Sequence, residues 1–192
     1  MSRMREMVRP AMKDEGSMLG VFIDLQGRLH EQMPQRPALD KQVDVLARGL
    51  SILDIPRVVS EQMPEKLGVT YEPLRTQLAE EICIRKSTFS CCGAAAFQDV
   101  LNQYDPRRII LAGIEAHICV YQTALDLLAE GREVWVAADA TASRISEHRD
   151  YAFEMLRAKG VGVMPVESIL LQVLGDAADE RFKKVLPLLK GY

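Results

Sequence analysis

The chain has 192 residues, 48% of them hydrophobic and 27% charged, which suits one soluble domain with a sizeable core. A net charge of −3 gives no electrostatic footprint for nucleic acid or an acidic membrane. No apolar run approaches the roughly 20 residues of a membrane span, and no apolar signal stretch opens the chain. Residues 1–16 therefore read as a flexible N-terminal arm, residues 17–192 as a single domain, and the cytoplasm as its compartment.

In chain order, residues 17–24 (SMLGVFID) form an apolar run that ends in Asp24, a buried strand. Leu39, Val43, Leu46, Leu50 and Leu53 make one stripe of an amphipathic helix. Residues 57–60 follow Pro56 as strand two. Two prolines and a glycine make residues 61–76 a long surface loop. Residues 81–86 (EICIRK) are a short strand ending in Lys86. Residues 93–104 are helical until Asp105-Pro106. Residues 108–112 form strand four, and Gly113 ends it. From Ala116 the apolar period becomes helical through Val120, Ala124, Leu127 and Leu128, and Gly131 is its C-terminal cap. Residues 133–138 are strand five. Residues 146–159 form a helix capped by Gly160, and residues 161–165 form strand six. Residues 165–174 and 177–190 finish as helices.

Strands alternating with helices imply one parallel sheet covered on both faces, a three-layer α/β/α fold. In the strand order 3-2-1-4-5-6, the order reverses between strands one and four, where such sheets bind ligands. Asp24 and Cys119 flank that point. Lys86 lies two strands away, about 10 Å, a gap that a lysine side chain can largely cover. Each residue also has an ordinary role: Asp24 as a turn residue, Lys86 as a surface lysine, Cys119 as core packing. No GxGxxG or GxxxxGKS loop supports a dinucleotide or nucleoside triphosphate. Cys119 sits in the first turn of a helix, where unpaired N–H groups and the dipole favour a thiolate. Cys83, Cys91 and Cys92 complete the four cysteines, with no C-x-x-C pair.

The segments FIDLQ, IRKSTFSC and GIEAHICVYQTALDLL resemble the isochorismatase-like, or cysteine hydrolase, superfamily. SEQMPEKLGVT and ESILLQVLGDAADERFKKVLPLLK are similar to its isochorismatase-domain-containing subgroup. The resemblance spans about residues 18 to 190. It implies the same α/β/α fold, a catalytic Asp24-Lys86-Cys119 triad, and a cis peptide between Ile114 and Glu115. It further implies an oxyanion hole from the backbone N–H groups of Glu115 and Cys119. Nicotinamidases of this superfamily carry an Asp-x-His metal motif after strand two. Here that stretch is SEQMPEKL, so neither a metal nor any other cofactor is expected.

The resulting expectation is a metal-independent cysteine hydrolase that cleaves a small amide-like C–N bond through a Cys119 thioester. Asp24 acts as general acid and base, and Lys86 gives electrostatic support. The rivals are a non-catalytic or thiol-redox regulatory protein that retains the fold, and a vinyl-ether hydrolase, which needs no thiol. Phe22 and Phe89 are candidates for an apolar pocket wall, Gln26 and Gln62 for bonding a substrate amide, and His117 for the site mouth. His30 and His148 read as surface residues. The expected partners are a small-molecule substrate and further copies of the chain in a homo-oligomer, a dimer or higher, with no nucleic acid and no membrane. Phe182, Val185, Leu186 and Leu189 on the last helix are candidates either for a dimer contact or for packing on their own sheet.

Overall fold

A computed structural model describes residues 18–190; the expected N-terminal arm lies outside the described residues. Six parallel strands make one sheet in the order 3-2-1-4-5-6. They are β1 (Met18–Ile23), β2 (Arg57–Gln62), β3 (Ile82–Lys86), β4 (Arg108–Ile114), β5 (Glu133–Ala142) and β6 (Gly162–Met164). Between β1 and β2 run a single turn, α1 (Gly27–His30), and the long α2 (Arg36–Ile52). Two further turns, α3 (Pro64–Leu67) and α4 (Leu74–Gln77), precede β3. Then come α5 (Ala95–Tyr104), α6 (Tyr121–Ala129), α7 (Ser146–Ala158), α8 (Val166–Leu174) and α9 (Phe182–Lys190).

The sheet is covered on both faces because nearly every central residue is apolar. β1 is buried along its whole length, MLGVFI, as expected of a strand with helices on both sides. Alternate residues feed two cores. Met18 and Phe22 join Leu46, Leu50, Ile169 and Leu170 on the side of α2, α8 and α9. Leu19, Val21 and Ile23 join Phe97, Val120, Leu127 and Phe153 on the side of α5, α6 and α7. The α9 stripe packs into the first of these cores through Val185 and Leu189, with Phe182 against it. Those residues are thus used within the fold.

The strands run further than their apolar content suggests. β2 continues to Gln62 and β4 to Ile114, and the expected 61–76 loop contains the turns α3 and α4. β5 reaches Ala142 because its register on β4 slips. Leu111 pairs with Val136, whereas Gly113 pairs with Thr141, so extra residues of β5 are accommodated at an irregularity. His30 is buried, stacked on Tyr71 with ring centroids 4.0 Å apart and bonded to Asp40, contrary to the surface reading.

Gly113 does not end β4 but lets it pass close to β1 beside the strand-order reversal. Its φ is +130°, and a Cβ there would stand 2.1 Å from the Ile23 carbonyl oxygen and 2.7 Å from its nitrogen. Both neighbours are backbone atoms in a paired strand and cannot turn aside. Gly113→Ala is expected to cost at least about 3 kcal/mol. A urea titration checks this; an unchanged midpoint would show that β1 and β4 can separate.

Candidate active site

Asp24 follows β1 immediately and is fully buried. Its φ is +51°, a left-handed conformation that aspartate adopts more readily than bulky residues do. Its carboxylate has a donor on each oxygen. The Ser60 hydroxyl donates to Oδ1 at 2.7 Å. The Lys86 ammonium donates to Oδ2 at 2.7 Å, and neither side chain of this ion pair is exposed.

Lys86 reaches Asp24 across β2, which lies between their strands. Gln62 pairs with Lys86 in register, so its side chain lies on the lysine's path. Besides Asp24, Lys86 Nζ lies 2.8 Å from Gln62 Oε1, 3.2 Å from the Thr88 carbonyl and 3.0 Å from that of Phe89. An ammonium has three protons, so four acceptors leave none of them unpaired.

Cys119 lies in a π-helical turn, Ala116–Val120, that leads into α6. The Val120 N–H reaches back five residues to the Glu115 carbonyl at 3.3 Å. The peptide between Ile114 and Glu115 is cis. The Cys119 thiol is buried and feels the charges of both Asp24 and Lys86. Asp24, Lys86 and Cys119, taken from three separated segments, therefore meet at one point beyond the sheet's carboxyl edge.

The electrostatics differ from the sequence expectation of a thiolate at a helix N-terminus. Burial pushes the Cys119 thiol well above its ordinary range, and the Asp24 charge pushes it further; the Lys86 charge opposes both without overcoming them. Cys119 therefore rests as a neutral thiol. The other thiols are no freer. Cys91 is pushed up to about 11 and Cys92 to about 12, chiefly by burial. Cys83, also at about 11 and chiefly through burial, is the one exposed cysteine.

Three of the expected pocket residues are committed elsewhere. Phe22 is wholly buried among the α2-side core residues and has no surface for a ligand. Gln26 spends its amide on backbone: it accepts from Gln62 N at 2.7 Å and donates to the Gln62 carbonyl at 3.1 Å and the Gly68 carbonyl at 2.5 Å. Gln62 is likewise held, accepting from Lys86 and donating to the Ser87 carbonyl at 2.8 Å. Its role is to support the lysine. Phe89 is 56% exposed beside the site, because its own carbonyl holds Lys86.

His117 is half-buried, with Nδ1 3.0 Å from Ser143 Oγ and its ring edge-on to His148 at 4.8 Å. Burial holds it below the ordinary imidazole range, against the pull of Glu115. Its contacts run to the loop after β5 and to α7. The Glu115 side chain is tied to that same loop, accepting from Arg144 N at 2.9 Å and pairing with Arg144 Nε at 2.8 Å. Asp139 accepts from Val166 N at the start of α8 and so joins two elements.

Ser60 was missed in the sequence, where it only closed strand two. A lone hydroxyl in VVSEQ, on a strand next to one ending in aspartate, was the available signal. Thr123 was also missed. One turn beyond Cys119, it accepts from Cys91 N at 3.0 Å and fastens the loop after β3 to the nucleophile's helix. Among the described residues, no group of three or more His, Cys, Asp or Glu side chains could hold a metal ion.

The fold and this site define a doubly wound α/β protein whose polar centre is a thiol, a carboxylate and an ammonium at the strand-order reversal. The isochorismatase domain matches residues 18–168. Isochorismatase domain-containing protein 1 of Salmo salar is 37% identical over 161 residues, 81% of this chain, but the chain spans only 56% of that protein's length. Isochorismatase domain-containing protein 2 of Danio rerio is 33% identical over 178 residues, 93% of this chain and 89% of that protein. A solved structure described as MAR1 ribonuclease from Caenorhabditis elegans is 32% identical with a TM-score of 0.86, covering 92% of this chain and 91% of that one. The chain belongs to the isochorismatase-like hydrolase family.

Removing one partner of the buried ion pair strands the other. Lys86→Met is expected to cost about 3–5 kcal/mol in urea unfolding, and adding Asp24→Asn to recover much of that loss. Labelling of Cys119 by iodoacetamide should keep climbing with pH beyond about pH 9, because the thiol is held above its ordinary range. Asp24→Asn should speed it and Lys86→Met slow it, since the first removes a charge that raises the thiol's pKa and the second one that lowers it. Rates followed by mass spectrometry check all three; equal profiles in wild type and both variants would mean that Cys119 does not feel the pair.

Proposed function

We propose that this chain is a cysteine hydrolase that cleaves a small amide-like C–N bond without a metal. The observation that carries the reading is the Asp24 carboxylate, which takes Lys86 on one oxygen and Ser60 on the other and stands near enough to the Cys119 thiol to hold its proton on. A carboxylate so fixed can exchange a proton with the sulfur without itself moving.

The steps follow from that arrangement. The substrate carbonyl docks over Cys119, and Asp24 takes the thiol proton as the sulfur forms its bond to carbon. Negative charge leaves the sulfur and collects on the carbonyl oxygen, which the backbone N–H groups of Glu115 and Cys119 receive. Asp24 returns the proton to the nitrogen, the C–N bond breaks, and the amine departs. A thioester remains on Cys119. Asp24 then takes a proton from water, the resulting hydroxide attacks the thioester, and the proton goes back to the sulfur. Lys86 stays charged throughout and stabilises the site whenever Asp24 is ionised. SEQMPEKL has neither the Asp nor the His of the nicotinamidase metal motif.

A second reading comes from the relative described as a ribonuclease. The buried thiol–carboxylate pair suits attack on a carbonyl, and the chain's charge of −3 gives RNA no general attraction. RNA therefore belongs in the substrate screen as a competing arm.

The test is a hydrolysis screen of small amides, carbamates, hydrazides, esters and RNA. Cys119→Ala and Asp24→Asn are each expected to lose on the order of 10³-fold or more in kcat against any carbonyl substrate found. A thioester adduct should be trapped by mass spectrometry, and exhaustive chelation should leave the rate unchanged. Turnover that survives in Cys119→Ala, or RNA cleavage with no carbonyl hydrolysis, would end the proposal.

A further inference from the structure

On the sheet face opposite Cys119, at the outer edge of β3, lies a cavity of about 330 Å³, at the small end of the range for ligand pockets. Alternation along the strands separates it from the site above. Ser60, Ile84 and Lys86 face the Cys119 side, whereas Val59, Glu61, Cys83 and Arg85 point the other way and line the cavity with α4. None of the residues proposed for catalysis lines it.

Its charges are arranged in an unusual way. Glu61 is only 4% exposed, yet it has no cationic partner among the described residues. It accepts from Thr70 N at 2.8 Å and Thr70 Oγ1 at 3.0 Å, both neutral donors. Buried carboxylates ordinarily have a countercharge. Arg85 stands directly opposite Glu61 in the β2–β3 register, but among the described residues it makes no ion pair with Glu61 or any other carboxylate. Arg75 has only Glu72, at 4.0 Å, with both side chains 59% exposed. The remaining carboxylate, Glu81, is already paired with Arg57. Val59, Val69 and Leu78 supply apolar wall between the two ends.

A buried negative end, a positive rim and a short apolar wall are complementary to a molecule that carries both charges on an aliphatic stem. We propose that this cavity binds a short aliphatic amino acid, its ammonium on Glu61 and its carboxylate on Arg85 and Arg75. The ammonium gives Glu61 the countercharge it lacks, and the guanidinium groups offer the planar donors that carboxylates prefer. The cavity is linked to the proposed catalytic site through its rim by a chain of hydrogen bonds. Thr70, which holds Glu61, is bridged to Gln26, and the Gln26 amide holds Gln62, the residue that supports Lys86. Glu61 and Gln62 are consecutive on β2, so an occupant pulling on Glu61 acts one residue from the lysine's support.

The experiment is backbone amide NMR on the full chain, titrated with 4-aminobutanoate, butanoate and butylamine in separate arms to about 20 mM. The expected result is saturable shifts at Val69, Thr70 and Arg85 with 4-aminobutanoate, and much weaker ones with either single-charge analogue. Arg85→Gln, an exposed change that leaves the fold intact, should weaken binding at least about tenfold. Glu61→Gln should do the same while keeping an acceptor for Thr70. No shifts, equal shifts from all three compounds, or shifts unchanged in Arg85→Gln would overturn the proposal and leave Glu61 and Arg85 as an ordinary cross-strand couple.

Discussion

The structure depends on one ion pair, Lys86 with Asp24, from which water is wholly excluded. Such a pair is a poor source of stability, because desolvating both charges offsets most of their attraction. It persists here because every remaining valence is filled. Ser60 takes the second oxygen of Asp24, and Gln62 with two loop carbonyls takes the rest of the ammonium. Those groups come from β1, β2, β3 and the loop after β3. The pair thus fixes where four segments end, and the cost of burying it is the condition for having a charged centre inside an apolar fold.

The same enclosure explains why the cysteine is quiet at rest. A helix N-terminus and a nearby lysine both favour a thiolate, and the sequence showed both. It could not show that the sulfur would be buried against a carboxylate, which outweighs them. The outcome is a thiol that keeps its proton. A thiol kept neutral until a substrate engages it is protected from adventitious electrophiles and oxidants, whose attack requires the anion.

Much of the architecture was legible because it rests on periodicity. The alternation of apolar strands with amphipathic stripes such as Leu39–Val43–Leu46–Leu50 gave the parallel sheet, and the ends of β1 and β3 gave Asp24 and Lys86. The misreadings have a common cause in groups whose partners are distant in the chain. Gln26 and Gln62 looked available for a substrate but satisfy backbone and lysine. Phe22 was a candidate wall, but it lies on the α2 face of β1, and the left-handed turn at Asp24 takes the carboxylate away from that face. The extension of β5 to Ala142 depends on a register slip against β4, which no local pattern encodes.

The π-helical turn has a consequence for how this chain can change. Each residue in a helix rotates the direction of the next by about 100°. In an unbroken α-helix, the bearing of Cys119 would be locked to that of Thr123, Ala124 and Leu127, which α6 buries. The widened turn that holds Cys119 comes just before α6 and offsets the first bearing from the second. The helix can keep the azimuth its packing requires while the sulfur keeps the one Asp24 requires. Substitutions along the buried stripe of α6 can then be absorbed by small rotations of the helix without turning the nucleophile away, and the widened turn serves as a swivel between a fixed aim and an adaptable core.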